Sequence, residues 1–238
     1  MQVLNDFWPW RGTLRGAMTI ADLLACGTLS PEAAATLWWA IDRGASVFVA
    51  AGPPGAGKST VANALLEFLP EDAHVYVTSG GRDRLEVPPA PGARYLLVNE
   101  LSPHMPVYLC GAAARRAFAL LQTGVRMLGT LHARDAAEAV RVMCYEADLD
   151  PAEVTAPFVF AVISAGWRGV DIVRRVVELG LRTPDGELTI LTTRADEELR
   201  LVPAGAEALA RWSGSEAGLV QRAIGDRARQ LTTLAPRP

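Results

Sequence analysis

Apolar runs alternate with segments of helical period along the middle of this chain. Residues 18–44 read as mainly helical: Thr19 opens one segment, and Ser30-Pro31-Glu32 caps the next with Pro at the first helical position. Ser46-Val47-Phe48-Val49-Ala50-Ala51 is apolar throughout and partly β-branched, as a strand covered on both faces should be. Behind it, 59–69 carries apolar residues at helical spacing and stops at Pro70. A second strand is expected over 73–78, followed by a Gly-, Pro- and Arg-rich loop over 79–92, and a third over 94–99 that ends at Glu100. A helix over 109–122, a strand over 125–131 and a helix over 135–146 continue the alternation. This order predicts a three-layer α/β domain on a mostly parallel sheet.

After Pro151 the pattern changes. Residues 158–164 and 170–179 read as successive strands, and Thr183-Pro184-Asp185-Gly186 is a turn before a further strand at 187–192, so the sheet gains a β-rich extension. Residues 204–231 have helical composition interrupted by Ser213-Gly214-Ser215, and Pro236-Arg237-Pro238 reads as a frayed end. The expected organisation is a helical lead-in over 1–44, a core with its β extension over 45–200 and a C-terminal helical segment over 201–238. There is no internal repeat.

Composition narrows the class. The chain has 238 residues and 50% hydrophobic content, enough for one substantial core and at most a small appendage. A formal charge of -3 supplies no basic field for nucleic acid, which makes DNA a weak candidate partner. Cys26, Cys110 and Cys144 are scattered without metal-type spacing and read as reduced, small apolar residues of a cytoplasmic protein. The N-terminus lacks the charged start and apolar stretch of a signal peptide, and no run approaches the ~18 apolar residues that span a bilayer. No membrane insertion is expected. Trp8 and Trp10 are either a docking surface or an aromatic plug on the protein's own core.

The chemistry centres on one run. Gly52-Pro53-Pro54-Gly55-Ala56-Gly57-Lys58-Ser59-Thr60 satisfies G-x-x-x-x-G-K-[ST], in which backbone amides and a lysine hold nucleotide phosphates and a hydroxyl, here Ser59, ligates Mg²⁺. Lys58 is the only lysine among 23 basic residues, so the one compact, flexible point charge falls where a phosphate site needs it. Strand, loop and helix follow in the order the motif requires. Glu100, at the end of an apolar strand, is placed to polarise an attacking water or to hold the metal through water. His132 ends Leu128-Gly129-Thr130-Leu131-His132-Ala133 and belongs to the same rim of the sheet, where ligands bind beyond the carboxyl ends of strands. Its spacing alone leaves γ-phosphate sensing and ordinary packing equally open. His74 and His104 read as surface or packing residues.

Taken together, the run 29–38, the phosphate loop, Leu97-Val98-Asn99-Glu100-Leu101 and the run 123–133 resemble the motor core of the type II and type IV secretion and pilus-assembly ATPases, most of all the tight-adherence and archaeal-type branch. The similarity runs from about Met18 to Arg175. It implies a RecA-like P-loop NTPase core that binds ATP and Mg²⁺, with Lys58 neutralising the β- and γ-phosphates. It also implies that Glu100 is the catalytic glutamate and that His132 belongs to the family's histidine box. The implied assembly is a homo-hexamer with nucleotide between subunits, cytoplasmic or peripheral at the inner membrane and docked on the platform of a pilus or secretion system.

The chain also departs from the family. Ser79-Gly80-Gly81 stands where acidic residues follow the second strand, Leu101-Ser102-Pro103-His104-Met105 lacks the Arg and acid that follow the glutamate, and the segment before the core is reduced. Binding chemistry is therefore expected to be intact and activation chemistry altered, with Arg82, Arg84 and Arg94 the nearest cations. The leading reading is an ATPase that powers pilus assembly or secretion. The alternatives are a nucleotide-dependent regulatory subunit with weak hydrolysis and a DNA-conjugation or packaging motor.

Overall fold

The computed structural model describes residues 1–3, 18–195 and 198–234. Trp8, Trp10 and the Pro236–Pro238 end lie outside them. Strands β1 (Gln2–Val3), β2 (Ser46–Ala50), β3 (His74–Val77), β4 (Arg94–Val98), β5 (Arg126–Leu131), β6 (Phe158–Arg168), β7 (Asp171–Arg182) and β8 (Leu188–Ile190) form one sheet in the order β1-β3-β4-β5-β2-β6-β7-β8. From β1 to β6 all neighbours are parallel, whereas β7 and β8 join antiparallel. This is the mixed α/β sheet, mostly parallel with a β extension, that the sequence pattern predicts.

Alternate residues of each central strand serve opposite faces, because side chains in a strand repeat with period two. On one face Val47, Val49, Val75, Tyr95, Leu97 and Val159 pack with helices α1 (Ile20–Ala25), α2 (Pro31–Asp42) and α3 (Lys58–Ala64). On the other face Phe48, Leu96, Val98, Met127, Phe158 and Phe160 pack with α4 (Gly111–Leu121) and α5 (Ala136–Ala147). Burying a side chain of this size contributes about 1.5–3 kcal/mol, so each face is held by many such increments. The C-terminal helices α6 (Pro203–Ser213) and α7 (Ala217–Leu234) share the first cluster through Leu209, Val220, Ile224 and Leu231. There Trp212 meets Trp39 edge-on, while Arg227 lies over Trp38 and pairs with Asp42.

Local signals explain the element ends. Thr19 and Asp22 form a reciprocal capping box on α1, and Ser30 accepts from the Ala33 amide with Pro31 in the first turn of α2. The helix behind the phosphate loop is shorter than expected: α3 ends at Ala64 and tightens into a 3-10 turn over Leu65–Phe68 ahead of Pro70. Strand β6 is longer. Past a register shift at Val162/Ile163 it pairs with β7 as far as Arg168, leaving Trp167 and Val170 at the hairpin tip 74% and 88% exposed. The expected strand over 187–192 is divided at buried Leu191, where β9 (Thr192–Ala195) leaves the sheet to pair with β10 (Glu198–Leu201).

Candidate functional site

Three strands deliver the site. β2 runs into the phosphate-loop sequence, β4 runs towards Glu100 and β5 into His132, and β5 lies between the other two. His132 is thereby seated between Glu100 and the loop. Within the loop Gly55 and Gly57 have positive φ of 73° and 93°, a left-handed conformation that side chains rarely adopt. At Gly57 a Cβ would also come within 3.2 Å of Arg174 Cδ. Gly57 is the cap of α3 and offers no side chain to its first-turn amides. Lys58 therefore starts the helix from a bend that only glycine enters cheaply.

Lys58 is 7% exposed, and its Nζ is 3.4 Å from Glu100 Oε2 and 3.2 Å from His132 Nε2. His132 Nδ1 lies 3.2 Å from the Gly52 carbonyl and Nε2 lies 3.4 Å from Glu100 Oε1, so each ring nitrogen faces an acceptor, while Lys58 Nζ stands 3.4 and 3.2 Å from the two. The ammonium thus bridges a carboxylate and an imidazole. The cleft around them, about 450 Å³ in volume, is lined by residues 54–60 together with Glu100, His104, Met105, Tyr108 and His132. That volume falls in the range of small-molecule sites. Of the loop, Pro54, Gly55, Ala56, Gly57, Lys58, Ser59 and Thr60 line the cleft, while Gly52 meets it through its carbonyl to His132.

The wall opposite the loop is a strap closed at its base. Leu101 and Leu109 form a parallel bridge, with Ser102 N–H donating to Leu109 O and Leu109 N–H to Glu100 O. The strap packs on the loop after β3, where Gly80 approaches so closely that a Cβ would fall 1.9 Å from the Pro106 carbonyl oxygen. That second loop is tied by buried Asp83, which accepts from Tyr76 OH, the Ser79 amide and hydroxyl and the Leu85 amide. Burial, then the hydrogen bond to Asp83, pushes the Tyr76 phenol up to about 12. On the strap, burial and then the charge of Glu100 raise the Tyr108 phenol above its usual range.

The sequence-predicted residues Lys58, Glu100 and His132 come together, and Ser59 lines the same cleft. The three arginines expected to be nearest do not line it: Arg94 donates to Thr123 O and Arg84 is a solvated partner of Glu86. A different one reaches the loop. Arg174, on β7, donates from Nε to the Gly55 carbonyl at 3.2 Å. No local signal marks a contact between residues 119 positions apart. His104 is exposed, as its sequence setting predicts, and it also lines the cleft, with its ring 6.1 Å from that of His132. Its position just past a strand-end acid, on the same rim, is the signal that could have found it.

The fold and site define a cleft at the carboxyl edge of a mostly parallel α/β sheet, closed by a glycine-rich loop, a buried lysine and a glutamate. No family model matches the chain. An uncharacterized protein of Methanocaldococcus jannaschii is 29% identical over 163 residues, which is 59% of this chain and 28% of that protein. Among solved structures, the VirB11 ATPase from the Brucella suis type IV secretion system, in complex with sulphate, is similar with a TM-score of 0.42 at 16% identity, over 74% of this chain and 56% of that one. The chain spans little more than a quarter of the first relative and just over half of the second. Among the described residues, no helix is long and apolar enough to cross a membrane.

Proposed function

We propose that the chain is a RecA-like, ATP-binding motor subunit that hydrolyses ATP to ADP and phosphate and powers pilus assembly or protein secretion. The observation that carries this reading is the convergence of Lys58, Glu100 and His132 at 3.2–3.4 Å from one another, beside a loop whose glycines hold the left-handed turns a phosphate cradle needs. In the proposal, loop amides and Lys58 hold the β- and γ-phosphates. Mg²⁺ supplies charge neutralisation, and its fit rests on the oxygen donors that face the cleft, with the Ser59 hydroxyl as the protein ligand. Glu100 orients the attacking water, and His132, vacated when phosphate draws Lys58 away, reports the γ-phosphate by donating to it from a protonated ring nitrogen.

The second reading, a nucleotide-dependent regulatory subunit with weak hydrolysis, is favoured by the directions in which Arg84 and Arg94 point, since neither supplies charge to the transferring phosphoryl group. The test has two arms. A ligand that binds only the native state adds RT ln(1 + [L]/Kd), about 2.7 kcal/mol at a hundredfold excess over Kd, so MgATP should raise the melting temperature. Lys58→Ala should erase that shift; its absolute melting temperature will fall too, because Glu100 loses the partner of a buried ion pair. An unchanged melt of the native chain in millimolar MgATP would sink the nucleotide assignment. Steady-state phosphate release then separates the readings, with Glu100→Gln as the binding-competent, inactive reference.

A further inference from the structure

We propose that Glu100, His104 and His132 form a binding site for a divalent transition ion of the zinc class, within the cleft and distinct from the Ser59 magnesium position. One donor atom from each of the three lies within 4.8 Å of the other two. In a tetrahedral site with bonds of about 2.0–2.1 Å, ligand atoms stand ~3.3 Å apart, so closing the set requires side-chain movements of about 1.5 Å or less. His104 has room for such a movement, because it is exposed on the strap.

Both imidazoles are prepared by the same device. His132 Nδ1 lies 3.2 Å from the Gly52 carbonyl and His104 Nδ1 2.7 Å from Ser102 Oγ; with Nδ1–H donating to these oxygens, each Nε2 is left as the lone pair that a metal takes. Ser102 is itself buried and fixed by the His104 amide at 3.1 Å. An outer partner on the second ring nitrogen is how metal-binding histidines are commonly held, since it sets the tautomer and the ring plane. Two imidazoles and a carboxylate suit zinc and its neighbours, not Mg²⁺, which asks for oxygen ligands throughout. The open cleft leaves the fourth position to water or an anion.

A cation already occupies part of this set. The Lys58 ammonium stands between Glu100 and His132, and a divalent ion must displace it. Lysine and metal are therefore alternative cations of one cage. This gives the proposal a sign that a chance cluster does not share: removing Lys58 tightens metal binding, whereas removing His104 or its outer partner weakens it.

The test is Zn²⁺ binding to the purified chain without nucleotide, read by competition with a chromogenic chelator, together with the visible spectrum of the Co²⁺ form. One ion per chain is expected, with a tetrahedral Co²⁺ spectrum. Affinity should drop about tenfold or more in His104→Ala and in Ser102→Ala, and rise in Lys58→Ala. His104→Gln, with its fold checked by melting, guards against loss through unfolding. Absence of stoichiometric binding, or equal affinity in the native and His104-substituted chains, or weaker binding in Lys58→Ala, overturns the site. Because nucleotide is left out, none of these results bears on the ATP reading, which the MgATP melt decides separately.

Discussion

Arg174 is the residue whose role changes most once the chain is folded. In sequence it is one of many arginines in an amphipathic strand, yet its side chain lies across the phosphate loop, donating to the Gly55 carbonyl and covering the Gly57 Cα. A guanidinium there adds positive charge at the mouth of a cleft whose single lysine is already paired with Glu100. Arg174→Ala should raise the Kd for MgATP about tenfold, or 1.4 kcal/mol, at the low edge of what a hydrogen bond to a charged group contributes, while Arg84→Ala leaves it unchanged. Isothermal titration of both variants checks this, and equal affinities would return Arg174 to a purely structural role. Lys58, Glu100 and His132 were legible beforehand because each sits at the end of a recognisable strand or in a defined loop. Arg174 was not, because its place depends on a distant hairpin that leaves no local pattern, whereas for His104 the one signal was its position just past the strand-end acid Glu100.

Among the elements, β7 carries the most structural responsibility. It pairs along β6, contributes Arg174 to the loop and ends in Arg182, which is 1% exposed and donates to the carbonyls of Val154, Pro151 and Thr183. Burial lowers the Arg182 pKa, so the charge is retained at a cost met by those carbonyls. Arg182→Ala should destabilise the protein by about 3 kcal/mol, since the buried Val154 carbonyl and the part-buried Pro151 carbonyl each lose a charge-assisted bond of roughly 1.5 kcal/mol. The midpoint of urea unfolding measures it; a loss below about 1 kcal/mol would mean water replaces the guanidinium. Strands β2, β4 and the first half of β6 were legible because a strand buried on both faces is a near-continuous apolar run, and β3 because it alternates. The far end of β6 was not, since Gly166-Trp167-Arg168 carries its strand past the buried part of the sheet, while the matching half of β7 was expected from 170–179. Nor was β10, a short ribbon strand with mixed residues, or the break at Leu191, where one buried side chain and its two backbone bonds to Leu179 and Val202 redirect the chain.

For the molecule as a whole, the open cleft bears on how turnover would be achieved. One wall is the loop and the other is the strap with Met105 and Tyr108, and the exposed side of that strap leaves the mouth uncovered by the described residues. Transition-state charge on a γ-phosphoryl group needs cationic help, and an arginine supplied by a neighbour is worth ~10³–10⁵ in rate in phosphoryl-transfer proteins. Among the described residues Lys58, Arg174 and Arg134 are close to the loop, and each is engaged, by Glu100, by the Gly55 carbonyl and by Glu138 respectively. Hydrolysis by a single chain should therefore be slow, and efficient hydrolysis should require a second copy to complete the cleft, as the proposed hexameric ring would. Two measurements made on the same sample decide this. Light scattering with an ATP analogue should show mass growing towards a ring as concentration rises, and phosphate release per chain should rise with it instead of staying constant. A strictly monomeric mass at high concentration, combined with concentration-independent turnover near the ~10 s⁻¹ typical of enzymes, would show that one chain carries the whole of the catalytic charge.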